Sequence, residues 1–298
     1  MVLRRRGRVR PGFRLTGDWP ELPYDAWRDT RDTLHMYLQI VGKLRLALAP
    51  MEPQWAQVPL YVSARGLNTS PIPHPEGVFD VDLDFIDHVL TVRTARGAVE
   101  RIALEPRPVA DFYTQVMRAL DAAGVPTKIT EKPQEVPDPI PFPEDTTHAS
   151  YEPEWVNRFW RVLVSVDRVM KEHRAAFRGR VSLVNMWWGS LDLAYTRFSG
   201  RELEPPPGAD VITRYGADAE QSCAGFWPGD GRLQEPAFFA YTYPKPDGTE
   251  DAKVEPAAAR WNTELGEFIL PYEAVRTAPD PRRALLDFFE TAYRAGAG

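Results

Sequence analysis

Cysteine is almost absent: Cys223 stands alone among 298 residues. A lone thiol excludes an internal disulfide framework and a cysteine-rich zinc site, and it fits a reducing, cytoplasmic setting. Long apolar runs are missing as well. No stretch approaches the ~18 residues that would span a bilayer, so no membrane partner is expected. Positive charge is in deficit, the net balance being −6. Nucleic-acid binders need a basic stripe to displace counterions from phosphates, so no nucleic-acid partner is expected either. The five histidines show no H-x-x-x-H, H-E-x-x-H or H-x-H spacing, and no metal site is expected. G-x-S-x-G, Walker A and G-x-G-x-x-G are all lacking, which sets aside a nucleophile elbow and nucleotide binding. No organic cofactor is expected.

What the chain has is enough apolar residue to form a core: 43% hydrophobic against 26% charged, the balance of a soluble globular protein. Its 29 prolines gather at 133–143, 205–207 and 244–256, where a fixed φ and a lost N–H disfavour helix and central strand. These are joints. The first ten residues, "MVLRRRGRVR", carry five arginines without the apolar core of a secretory signal, and residues 1–18 read as a basic arm.

From Tyr24 to Ala49 the apolar residues Trp27, Leu34, Leu38, Val41 and Leu48 recur at helical spacing. A polar strip of Arg28, Asp32, His35 and Gln39 reads as the exposed side of that helix. Strands follow at "VPLYVSARG", "VFDVDLDF", "HVLTVRT" and "VERIALE". In the second of these, Asp80, Asp82 and Asp84 share one face, with Arg93 or Arg101 across the strands to balance them. A helix is predicted over 108–122, then a short strand "TKIT". After the proline joint, Ser150 is placed to cap a helix with Pro153 in its first turn. Strands are predicted within "VSLVNMWWGSLDLAYTRFSG", "SCAGFWP", "AFFAYTYP" and "GEFILPY", and a last helix over 280–295.

The order helix, strands, helix therefore occurs twice. The expected division is a first α+β half over 19–132, a joint over 133–150 and a second α+β half over 151–298. The fold class is α+β with mainly antiparallel sheet, two helix/sheet/helix halves forming a possible pseudo-twofold repeat around one core.

The segments "TLHMYLQIVGKLRLAL", "VPLYVSARGLNTSPIP", "DLDFIDH", "RPVADFYTQVM", "PDPIPFPEDTTHASYEPEWVNRFWRVL" and "WWGSLDLAYTRFSGR" resemble an uncharacterised bacterial family, a domain of unknown function. The likeness runs from about Trp19 to Tyr293. It implies a bacterial, cytoplasmic protein and brings no activity, ligand or catalytic residue with it.

Candidate chemistry begins at "PEDTTHAS". There Asp145 is placed to orient His148 as an acid–base group, with Thr147 beside a helix start whose free N–H groups attract anions. His35, with Asp32 a turn away, is a second acid–base candidate if its strip faces a cleft. Arg65 and Arg197 each end an apolar strand before small residues, and guanidinium forks suit a carboxylate or phosphate. The aromatics of the second half, Trp188 among them, are either core or the wall of an apolar pocket. The expectation is a small-molecule enzyme or binder with its pocket between the halves, using His148, Asp145 and His35 for proton transfer. Arg65, Arg197, Thr147 and Trp188 would then hold a small anionic substrate for hydrolysis or isomerisation. The alternative is a non-enzymatic ligand sensor or interaction scaffold.

Overall fold

The computed structural model describes residues 18–297. The basic arm, apart from Asp18, lies outside them. In chain order the elements are α1 (Tyr24–Leu48), β1 (Tyr61–Val62), β2 (Gly66–Asn68), β3 (Ile72–His74), β4 (Gly77–Asp84), β5 (Val89–Thr94), β6 (Val99–Ala103) and α2 (Val109–Ala122). The second half adds α3 (Pro153–Ala175), β7 (Asn185–Trp187), β8 (Asp192–Glu202), α4 (Val211–Gly216), β9 (Ala219–Trp227), β10 (Ala237–Tyr243), β11 (Arg260–Asn262), β12 (Glu267–Pro271), α5 (Tyr272–Arg276) and α6 (Pro281–Gly296).

Every strand pairing is antiparallel, and the class is α+β. The first sheet runs β1-β2-β4-β5-β6 with β3 on β4; the second runs β11-β12-β10-β9-β8-β7. Among the described residues a single bridge joins them: the Leu60 N–H donates to the Met186 carbonyl at 3.0 Å, and the Met186 N–H returns a bond to Leu60 at 2.9 Å. One continuous core draws from both halves, from Leu22 to Ala292.

The aspartate row of β4 lies where strand alternation puts it. Asp80 sits directly opposite Arg93 in the β4–β5 register, 3.5 Å from it, and Asp82 is 3.8 Å from the same guanidinium. In contrast, "TKIT" forms no strand. Its Ile129 packs on the core while the Thr130 hydroxyl accepts from Lys43, so the segment is held by side chains rather than by a ladder. Nor does Ser150 cap α3. Its hydroxyl meets Thr30 Oγ1 of α1 at 3.0 Å, and that same oxygen accepts the Glu152 N–H at 3.1 Å. Asp280 does cap α6, accepting the Arg283 N–H at 2.9 Å.

The largest departure from the sequence pattern is α1. Its polar strip is on the surface only at the start: Arg28 is exposed and Asp32 half-buried, but His35 and Gln39 are buried, and Lys43 one turn on is 1% exposed. Amphipathic periodicity assumes one wet face. Here α2 and α3 pack on α1, and the segments 130–135 and 188–189 close over the polar face as well. The approach is so close that a Cβ on Gly42 would fall 2.1 Å from Trp188 Cδ1. Gly42→Ala must displace the indole. It is expected to cost roughly 1–3 kcal/mol, the range for overpacking a filled core, read as a fall in the urea midpoint at unchanged m-value.

Candidate functional site

β8 through β12 carry two different faces. On one, Tyr195, Phe226 and Phe238 pack against the aromatics of α5 and α6. On the other, Asp192, Thr196, Cys223, Tyr241 and Glu267 line a cavity of about 550 Å³. Strand alternation alone produces this split, since residues two apart share a face.

The remaining walls come from elsewhere in the chain. Leu46 of α1, Trp55, Val58 and the loop residues Gln134 and Glu135 reach in from the first half and the joint, while Val211 and Ile212 of α4 form a rim. Asp210 starts α4 by accepting the Thr213 N–H at 2.8 Å, and the Trp55 indole N–H donates to the Ile212 carbonyl at 3.0 Å, fastening that rim to the first half. The cavity lies where the two halves meet.

Two loops shape its inner wall, and α1 holds both. His35 Nε2 lies 3.0 Å from the Trp188 carbonyl and 2.9 Å from the Gly189 carbonyl, so this nitrogen carries the proton and donates to both. Burial, with the nearby charge of Arg31, lowers the imidazole from its usual range to about 3, and the ring is neutral. Gln39 clamps Gln134, its Nε2 donating to the Gln134 carbonyl and its Oε1 accepting the Gln134 N–H, both at 2.8 Å. Lys43 Nζ donates to Thr130 Oγ1 at 2.8 Å and lies 5.8 Å over the Trp188 ring; burial lowers its ammonium to about 8.

Among the charged groups that line the cavity, carboxyls predominate. Asp192 is 9% exposed. Burial is the chief cause that pushes its carboxyl up to about 7; the Ser190 hydroxyl bond opposes the shift and the Glu135 charge adds to it. Glu267 is pushed up to about 7 by burial and then by the Asp192 charge, with Arg232 opposing. Glu135, exposed at the rim in a left-handed backbone conformation (φ 55°), has its carboxyl raised by partial desolvation and by Asp210. Its carboxylate rests over Gly189, where a Cβ would come within 2.2 Å of Oε1. Cys223 also lines the cavity, but burial pushes its thiol up to about 12, so no thiolate forms near neutral pH.

The residues selected from sequence fall in four places. Trp188 lines the cavity, and His35 stands directly behind it. Asp145 and His148 are brought together, His148 Nδ1 lying 2.7 Å from Asp145 Oδ2, but in the joint and outside the cavity lining. Asp145 Oδ1 accepts the N–H groups of Thr147 and His148, and the carbonyls of Asp145 and His148 accept the N–H groups of Ala110 and Val109 at the start of α2. The Thr147 side chain is exposed. Arg65 pairs with Asp84 and Asp87 at the edge of the first sheet. Arg197 is on the helix-covered face of β8, donating to the His173 carbonyl at 2.7 Å with the Tyr293 ring 4.4 Å from its guanidinium. The two arginines do not meet, and neither lines the cavity.

Sequence reasoning missed Asp192, Glu267 and Glu135. The signal for the first two was a carboxylate at an inward position of an otherwise apolar strand, "SLDLAY" and "GEFIL". Among the described residues, no group of three or more His, Cys, Asp or Glu side chains is gathered to hold a metal ion, and no helix is long and apolar enough to cross a membrane.

The site thus defines an α+β protein with an aromatic-walled cavity and buried carboxyls on one sheet face. The chain belongs to DUF5996, a family of unknown function, the match running over residues 19–298. No curated protein and no solved structure matches it.

Asp192 titrates at about 7 in the fold against 3.8 in a free chain. Between those values the unfolded carboxyl ionises while the folded one keeps its proton, so stability present at pH 4 declines as pH rises through 7. Asp192→Asn removes that loss. The variant is expected to match the parent near pH 4 and to exceed it at pH 8 by on the order of a few kcal/mol, measured by urea unfolding at both pH values.

Proposed function

We propose that this protein binds a small organic molecule in the cavity between its halves, and that Asp192 and Glu267 exchange protons with it. The observation that carries this reading is a pair of carboxyls, both titrating at about 7, in a concave, largely apolar site. Groups displaced toward the working pH and set in a pocket are suited to general acid–base transfer. The chemistry such a pair supplies is protonation of a leaving group, activation of a water, or removal and return of a substrate proton. Hydrolysis and isomerisation both fit. That Cys223 is the one cysteine of the chain supports a reducing, cytoplasmic location.

One observation favours binding without turnover as a second reading. Among the described residues the hydroxyls on this face are already hydrogen-bonded, Ser190 to Asp192, and Thr196 and Tyr241 to Cys223, so none stands without a partner. The anion expected from Arg65 and Arg197 has no support from these positions.

The test is thermal shift and tryptophan fluorescence against a metabolite library, for the parent and for Ala194→Phe, whose ring would occupy the cavity. At least one compound is expected to raise the parent's melting temperature by several degrees and to leave a folded Ala194→Phe unmoved. Responses that persist in Ala194→Phe, or their complete absence in the parent, would count against the cavity as the site. For any compound that is turned over, Asp192→Asn is expected to lower kcat by a factor on the order of 10²–10⁴; binding that never leads to product selects the sensor.

A further inference from the structure

The cavity's polar groups are unbalanced in charge. Asp192, Glu267 and Glu135 line it against a single arginine, Arg232. That arginine is already occupied: its Nε donates to Asp230 at 3.2 Å, and its guanidinium lies 5.1 Å over the Trp227 ring. Lys43 stands behind Trp188 and does not line the space.

The deepest carboxyl is also under-bonded. Asp192, nine-tenths buried, receives the Ser190 hydroxyl on Oδ1 and its own backbone N–H, and no other donor among the described residues reaches its carboxyl. Glu267 makes no side-chain hydrogen bond to the described residues, and charge alone couples it to Asp192 and Arg232. A buried carboxylate left without a partner is costly, and a bound group that supplies a donor and a counter-charge removes that cost.

Around these carboxyls stand π faces. Trp55, Trp187, Trp188, Trp227, Phe239 and Tyr241 all contribute to the wall. The Phe239 ring sits against Gly225, where a Cβ would fall 2.1 Å from Cζ, so the absent side chain is what leaves room for the ring.

Three ligand classes meet this lining differently. An anion faces three carboxyls and one guanidinium that is already engaged. A neutral hydroxyl compound satisfies one oxygen and leaves the charge unbalanced. A cation with an apolar body meets the carboxyls with charge-assisted N–H bonds, sets its charge against aromatic faces, and fills the remaining space with hydrocarbon.

We propose that the cavity takes an organic cation, an amine with an apolar or aromatic body, its ammonium seated at Asp192 and Glu267. This rests on the reading that the cavity is a ligand site. It specifies the charge that the ligand must bring. Because both carboxyls sit near 7 when empty, an ammonium ligand also drives them to ionise, and binding releases protons below that pH.

Three probes of nearly equal shape separate the classes: 2-phenylethylamine, 2-phenylethanol and 3-phenylpropanoate, titrated at pH 8 with cavity tryptophan fluorescence as the readout. The amine is expected to bind at least tenfold more tightly than the alcohol, and the acid more weakly than either. Asp192→Asn is expected to weaken the amine at least tenfold and leave the alcohol unchanged, and Glu267→Gln to act in the same direction. For the amine, calorimetry at pH 6 in buffers of different ionisation enthalpy is expected to show protons released. The proposal is overturned if the alcohol or the acid binds as tightly as the amine, if the amine does not bind, or if both substitutions leave its affinity intact. Should the amine fail while library compounds still shift the parent and not Ala194→Phe, the cavity stands as a ligand site and only the cation is lost.

Discussion

The fold depends on burying the polar side of α1. His35, Gln39 and Lys43 follow one another at i, i+4 and i+8, and each reaches a different part of the backbone or a loop side chain: the carbonyls of 188 and 189, both main-chain groups of Gln134, and the hydroxyl of Thr130. Buried polar groups are tolerated where they are satisfied, and satisfied ones fix geometry closely because leaving a partner unpaired is expensive. A single helix thereby sets the positions of two loops from opposite halves of the chain. Lys43 is the extreme case. Among the described residues it has no carboxylate partner; it relies on two neutral acceptors and the faces of Phe142 and Trp188, and burial weakens its ammonium.

The second sheet divides its labour between faces. Its helix-covered side is closed, with His173 bonded to the Tyr195 hydroxyl and to Glu290, and Arg197 stacked on Phe177 and Tyr293. Burial, with the charge of Arg197, lowers the His173 imidazole to about 4. These polar residues are engaged with one another and stabilise the packing. On the opposite side the carboxyls have few partners and open space in front of them. The same strands thus hold closely packed polar groups on one face, bonded to one another apart from Arg197 Nε, and carboxyls with few partners and open space before them on the other, where a ligand has something to contribute.

Much of the architecture was legible because it rests on local rules. Period-two alternation placed Asp80 of β4 opposite Arg93, apolar spacing located α1, α2, α3 and α6 to within a residue or two, and the prolines marked the joint. What failed was whatever depended on a third element. The strip of α1 looked wet because periodicity reports one helix against one core and is blind to loops that close over the other side. The alternation that gave Asp80 its neighbour also applied to Asp192, but nothing in "SLDLAY" shows that this face looks into a hollow rather than into solvent. Asp145 and His148 did come together, since a three-residue spacing in a turn is local chemistry. Whether such a pair stands in a cavity is a long-range matter, and here it is stitched to the start of α2.

The seat of Trp188 against Gly42 has a consequence for the integrity of the chain. A second-half indole is pressed onto a first-half helix, its N–H donates to the Val58 carbonyl at 2.9 Å, and Leu60 and Met186 exchange backbone bonds alongside. Neither half can therefore be excised without baring an aromatic scar on the other. Despite the proline joint between them, the two share one core and are expected to melt as one cooperative unit.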